Sequence, residues 1–162
     1  MARQEDVSKQ LKIVEKIPFF RGLALSQTRQ VLHLGQMVSF PEGHILCRDG
    51  DNSTAMFVLL VGELAVRDGD TELASIKPVD IVGEMGVVTN QTRCATLTVT
   101  KAATLISVGK MQFDVLLKND VDMAARIYKN MLDSLSGKLR DNNERLKKQQ
   151  TVSGRQITAS VV

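Results

Sequence analysis

The stretch Ile81-Val82-Gly83-Glu84-Met85-Gly86-Val87-Val88-Thr89-Asn90-Gln91-Thr92-Arg93-Cys94-Ala95-Thr96 fits neither an ordinary strand nor an ordinary surface turn. It is mostly apolar, and its only charges are Glu84 and Arg93, nine positions apart. A glycine-bearing apolar turn leaves backbone N–H groups free to point at a ligand. A guanidinium set among them suits a phosphate, because its planar fork donates two hydrogen bonds at once. A neighbouring carboxylate can accept from a sugar hydroxyl. Alone, the same two residues would more often make a buried Glu84–Arg93 salt bridge.

On both sides of this stretch the chain reads as strands. Short β-branched runs at 37–40, 44–47, 56–61, 64–67, 73–76, 95–100 and 104–108 alternate with turn signals. Those signals are Pro41-Glu42-Gly43, Asp49-Gly50-Asp51-Asn52, Val61-Gly62 and Asp68-Gly69-Asp70. Such spacing predicts an antiparallel barrel or sandwich rather than βαβ units. Before it, Val7, Leu11, Val14 and Ile17 step at helical spacing up to Pro18, and Ser26 is placed to cap a short helix that Gly35 ends. After it, helical period returns at Met111, Val115 and Leu116, and again from 121 to 150.

In the last helix Leu132, Leu135, Leu139, Asn142 and Leu146 step by 3, 4, 3 and 4. This is an a/d seam, suited either to the chain's own barrel or to a second copy in a homodimer. Residues 138–150 carry five basic and two acidic side chains, which complement a helix C-terminus. The chain is expected to form one domain over 1–150: helices at 1–35, a barrel at 36–108, helices at 110–150 and a flexible tail at 151–162.

Composition excludes several classes. With 162 residues, 43% hydrophobic and 24% charged, the chain can bury one core without staples. The formal charge is +3 with only 4% aromatic residues, unlike a nucleic-acid surface with interleaved aromatics. The longest apolar run, 55–61, is far too short to span a bilayer, and no signal segment precedes it. Cys47 and Cys94 form neither a CxxC pair nor a disulfide framework, which suits a reduced, cytoplasmic protein, and Cys47 reads as a buried small hydrophobe. His33 and His44 are too few for a cupin-like metal centre, so no metal is expected.

Gly83-Glu84-Met85-Gly86, followed by Arg93-Cys94-Ala95-Thr96, resembles the phosphate-binding cassette of the cyclic nucleotide-binding domain family. The spacing resembles that in cyclic AMP-dependent kinase regulatory subunits, and the bacterial catabolite activator has one residue more. The likeness extends through Ile17-Pro18-Phe19-Phe20, Phe40-Pro41-Glu42-Gly43 and the 50–62 segment. It implies a mainly β fold with flanking helices: an antiparallel β-barrel (double-stranded jelly roll) with N-terminal helices and a long C-terminal helix. It also implies a ligand, cAMP or cGMP. Arg93 would meet the exocyclic phosphate and Glu84 the ribose 2′-hydroxyl. N–H groups of Gly86 and Cys94 would assist, and Ala95 would line the wall. Tyr128, Met131, Leu132 and Leu135 are candidates to cap the base. Departures are Val79 before Asp80, Thr92 where proline is frequent, and Cys94, whose weak thiol donor favours cyclic AMP.

The resemblance therefore implies a stand-alone cyclic-nucleotide sensor, not an enzyme. Its effector is unknown, and no DNA-binding domain is expected, since the 12 residues after Gln150 are too few for a helix-turn-helix. The alternative is a barrel that has lost its ligand and serves as an interaction or dimerisation module. Arg93 is expected to matter for the ligand and little for the empty fold.

Overall fold

The computed structural model describes residues 11–12 and 14–159, with side chains as far as residue 149. A 3-10 turn, Pro18–Phe20, and helix α1, Leu25–Leu34, lead into strands β1 (Gly35–Phe40), β2 (Ile45–Cys47), β3 (Ala55–Asp68), β4 (Thr71–Ile76) and β5 (Asp80–Val82). Helix α2 (Glu84–Thr89), strand β6 (Thr96–Gly109) and helices α3 (Lys110–Asn119) and α4 (Val121–Ala159) complete it. All six strands pair antiparallel.

β3 and β6 are the spine, 14 residues each and paired from Ala55↔Gly109 to Arg67↔Thr96. β5 and β4 pair with successive halves of β3, while β2 and β1 pair with successive halves of β6. Four runs expected as separate strands are thus two continuous ones. Register shifts around Val61 and Glu63 bend the ladder without ending it, as a β-bulge does, so Val61-Gly62 is no chain reversal. The expected turn at Asp68-Gly69-Asp70 does join β3 to β4, closing on Asp68↔Thr71.

Two apolar clusters meet across this sheet. One fills the barrel with Cys47, Leu59, Leu64, Leu97, Val99 and Leu105. The other seats the helices on its outer face through Phe20, Val31, Met56, Val58, Phe113 and Ile127. Full burial of each such side chain stabilises by roughly 1.5–3 kcal/mol. Cys47 is buried as expected.

The helices correct several expectations. The opening helix lies largely outside the described residues, although Leu11, Val14 and Ile17 of its stripe are buried. Ser26 caps nothing. Ala24 is the N-cap of α1, and its N–H is taken by Gln27 Oε1 at 3.0 Å. On α3 the core face is Phe113 and Leu117, while Met111 and Val115 point outward, because β6 delivers the helix about half a turn away from the expected stripe. Asp120 separates α3 from α4 and caps the latter by accepting from Met123 N–H at 2.8 Å. α4 runs through Ala159 rather than ending near Gln150, since no proline interrupts 151–159.

α4 docks by Met123, Ala124, Ile127 and Met131, and by buried Asn130, whose Nδ2 donates to Phe19 O at 2.9 Å and Arg21 O at 2.8 Å. The leucine seam does not face the barrel: Leu132, Leu139 and Leu146 are exposed. Every described side chain from 136 to 149 is exposed as well.

Candidate functional site

The stretch expected as a turn contains α2, a helix of six residues. So short a helix gains little from its own hydrogen bonds, so contacts must hold it. Gly83 is its N-cap at φ 76°, a left-handed conformation that aims its carbonyl at Arg93. A β-carbon there would lie 2.2 Å from Arg93 Nη1. Gly86 rests directly on Ser53, where a β-carbon would fall 1.9 Å from the hydroxyl oxygen. No side chain caps the first turn.

Arg93 is 7% exposed. Its Nη1 donates to Gly83 O at 2.9 Å and its Nη2 donates to Ala55 O, at the start of β3. Its Nε is buried with no hydrogen-bond partner, as is Ser53 Oγ. The backbone of Arg93 is fixed too: its N–H donates to Asp51 O at 2.8 Å, and its carbonyl accepts from Gly50 N–H at 2.8 Å. Asp51 in turn closes the loop by accepting from Arg48 N–H at 2.7 Å. The Asp49-Gly50-Asp51-Asn52 signal is thus the clamp on Arg93, a role that turn chemistry alone did not disclose.

No Glu84–Arg93 salt bridge forms. The ion pair of Glu84 is with Lys138 of α4, a loose one at 3.8 Å. Burial pushes the Glu84 carboxyl above its ordinary range. Lys138, its own backbone N–H and Arg93 pull it partly back, while Asp80 adds to the rise. Glu84 and Met85 line a cavity of about 160 Å³ under α4, together with Ile81, Met131, Leu135 and Lys138. Two of the four expected cap residues, Met131 and Leu135, are therefore at the site. Tyr128 and Leu132 are not, being 45% and 64% exposed, because helical twist turns them to solvent. Cys94 is exposed and Ala95 half-buried. A larger open groove, about 420 Å³, lies around Gln30, Leu116 and Asp122 and includes no cassette residue.

His44 stacks on Phe40, ring centroids 4.2 Å apart, and His33 is exposed. Among the described residues no three His, Cys, Asp or Glu side chains gather to hold a metal, and no helix is long and apolar enough to cross a membrane.

Residues 37–120 match the family model of the cyclic nucleotide-binding domain. The chain belongs to this family. This cyclic nucleotide-binding domain is 23% identical over 135 residues to a cyclic nucleotide-gated potassium channel of Rhizobium etli, covering 83% of the chain and 38% of the channel. It superposes on the regulatory domain of Toxoplasma gondii PKA, crystallised with cAMP, at TM-score 0.62 and 25% identity, covering 67% of this chain and 43% of that one. The catabolite activator protein of Thermus thermophilus gives TM-score 0.67 at 22% identity, over 80% of this chain and 62% of that one. The chain thus spans well under half of the channel. The domain type is regulatory rather than catalytic, and the jelly-roll plan expected from the cassette is the one observed.

The raised Glu84 pKa makes a stability prediction for this domain. The folded state holds the Glu84 proton more tightly than the unfolded chain does. Its contribution is therefore fully present below the ordinary glutamate pKa and lost as pH rises through the raised value. Glu84→Gln should raise the melting temperature at pH 7 and flatten the decline across that window. A mutant melting curve parallel to wild type at every pH would refute this.

Proposed function

We propose that the domain binds a cyclic purine nucleotide, with no catalysis of its own, and regulates an effector through α4. The observation carrying this is buried Arg93. Its Nε lacks a partner, it sits below a helix start that no side chain caps, and Glu84 is beside it. Unspent cationic donors in an apolar enclosure favour an anion of phosphate geometry.

In this reading Arg93 takes the exocyclic phosphate, helped by Gly86 and Cys94 N–H, and Glu84 accepts from the ribose 2′-hydroxyl. Ala95 forms the wall, and Met131 and Leu135 cover the base. The cavity beneath α4, about 160 Å³, is smaller than the roughly 300–1,000 Å³ of small-molecule sites. Nucleotide entry therefore lifts α4 and frees Glu84 from Lys138. The exposed Cys94 thiol, a poor donor to guanine, favours cyclic AMP. Both cysteines are free thiols, in keeping with a reduced cytoplasmic compartment. Neither DNA nor a membrane enters this reading.

Calorimetric titration with cyclic AMP and cyclic GMP side by side tests it, with micromolar or tighter binding expected. Ligand at 100 times its dissociation constant should add about 2.7 kcal/mol of stability. No heat and no thermal shift with either nucleotide at millimolar concentration would leave the interaction module as the better reading.

The exposed seam supports a second copy as the partner of α4. Leu132, Leu139 and Leu146 recur every seven residues on an exposed face. A parallel pair sets Lys138 opposite Asn143 of the second copy, whereas an antiparallel pair sets Lys138 opposite Arg145 and crowds the basic side chains together. Sedimentation should show a dimer that Leu139→Lys converts to monomer. A wild-type monomer at high concentration would remove the seam.

A further inference from the structure

Beyond the cassette motif, one cation touches the far end of its helix. Lys110, the first residue of α3, donates from Nζ to Val87 O of α2 at 2.8 Å and to Asp114 Oδ2 at 2.8 Å. Its own N–H donates to Thr54 O at 2.9 Å, beside the strand start that holds Arg93. The side chain is 22% exposed.

The position is electrostatically odd. A cation in the first turn of a helix opposes the helix dipole. Here the ammonium leans instead on the carbonyl end of α2, where orphan carbonyls and the negative dipole end welcome it. Asp114, one turn on, supplies the balancing charge on α3. α2 is thus held at its start by Gly83 O on Arg93 and near its end by Val87 O on Lys110. A helix of six residues has no rigidity of its own to replace either hold.

We infer that Lys110 is a positioning residue for the nucleotide site: it touches no ligand, but fixes the tilt of α2 so that Gly86 N–H and Glu84 meet the nucleotide together. The inference rests on the proposed nucleotide reading and adds a residue outside its motif.

The test compares the 162-residue wild-type chain with Lys110→Met, Lys110→Arg and Asp114→Asn. Two readouts are used: cyclic AMP affinity by calorimetry, and hydrogen exchange of the empty protein. Lys110→Met should weaken binding by about tenfold, the scale of one charge-assisted hydrogen bond. It should also speed exchange of amides 85–90 while β6 amides stay as slow as in wild type. Lys110→Arg, which keeps a donor, should recover most of both. Asp114→Asn should change affinity less than about threefold, because the contact to Val87 remains.

Unchanged α2 exchange in Lys110→Met, or equal loss in Asp114→Asn, would overturn the inference. So would faster exchange without loss of affinity, or β6 amides speeding up in step with α2, which marks a core residue and not a positioner. If α2 loosens as expected but wild type binds neither cyclic AMP nor cyclic GMP, the nucleotide reading falls, and the positioning role falls with it.

Discussion

Arg93→Ala should lower cyclic-nucleotide affinity by roughly 30-fold to several thousand-fold, and it should also destabilise the empty protein. The first effect follows from leaving a phosphate unpaired in an apolar enclosure, which costs on the order of 2–5 kcal/mol. The second was not expected from the sequence, where an empty phosphate site gains little from its own guanidinium. In the structure that guanidinium is already at work, joining Gly83 O to Ala55 O across the gap between α2 and β3. Removing it leaves two carbonyls short of donors, at about 1–3 kcal/mol for each that water cannot reach. Arg93→Lys keeps charge but not the fork, so it should fall between wild type and alanine in both measurements. Calorimetry and thermal melts on the three proteins decide the matter. Loss of stability with untouched affinity would make Arg93 a structural tie and remove it from the site.

The structural tie made by Arg93 shows what could be read from the chain and what could not. Two charges alone among apolar residues and glycines would more often make a salt bridge, so the cassette was legible only through the resemblance carried by Gly83-Glu84-Met85-Gly86 and Arg93-Cys94-Ala95-Thr96. The barrel was legible from strand and turn spacing, but its two long strands were not, since a bulge at Val61–Glu63 looks locally like a turn. β5 escaped notice because three residues beginning with Asp80 carry too little alternation. The clamp from Asp51, backbone to backbone, and the hold from Lys110, ammonium to backbone carbonyl, are long-range contacts with no local signature. The family resemblance put Tyr128 and Leu132 beside Met131 and Leu135 as candidate caps, with nothing local to choose among them. Which of them face the cassette depends on how Asn130 and Ile127 seat α4, a tertiary fact.

Gly83→Ala should damage both the fold and the nucleotide site, and its cost should depend on Arg93. The φ of 76° costs a residue with a β-carbon about 1–2 kcal/mol wherever it occurs. The new carbon would also stand 2.2 Å from Arg93 Nη1, so the guanidinium must leave Gly83 O or α2 must shift. Either response undoes one end of the hold on α2, so nucleotide affinity should fall about as far as in Arg93→Ala. The two contributions can be separated by a double-mutant cycle. In an Arg93→Ala background the obstructing atom is gone, and Gly83→Ala should then cost only its backbone strain. Stability losses should therefore be less than additive by about 1–3 kcal/mol, and the double mutant should bind no worse than Arg93→Ala alone. Strictly additive losses would mean that Gly83 is required only for its φ, and that the close approach of Arg93 to its backbone carries no energetic weight.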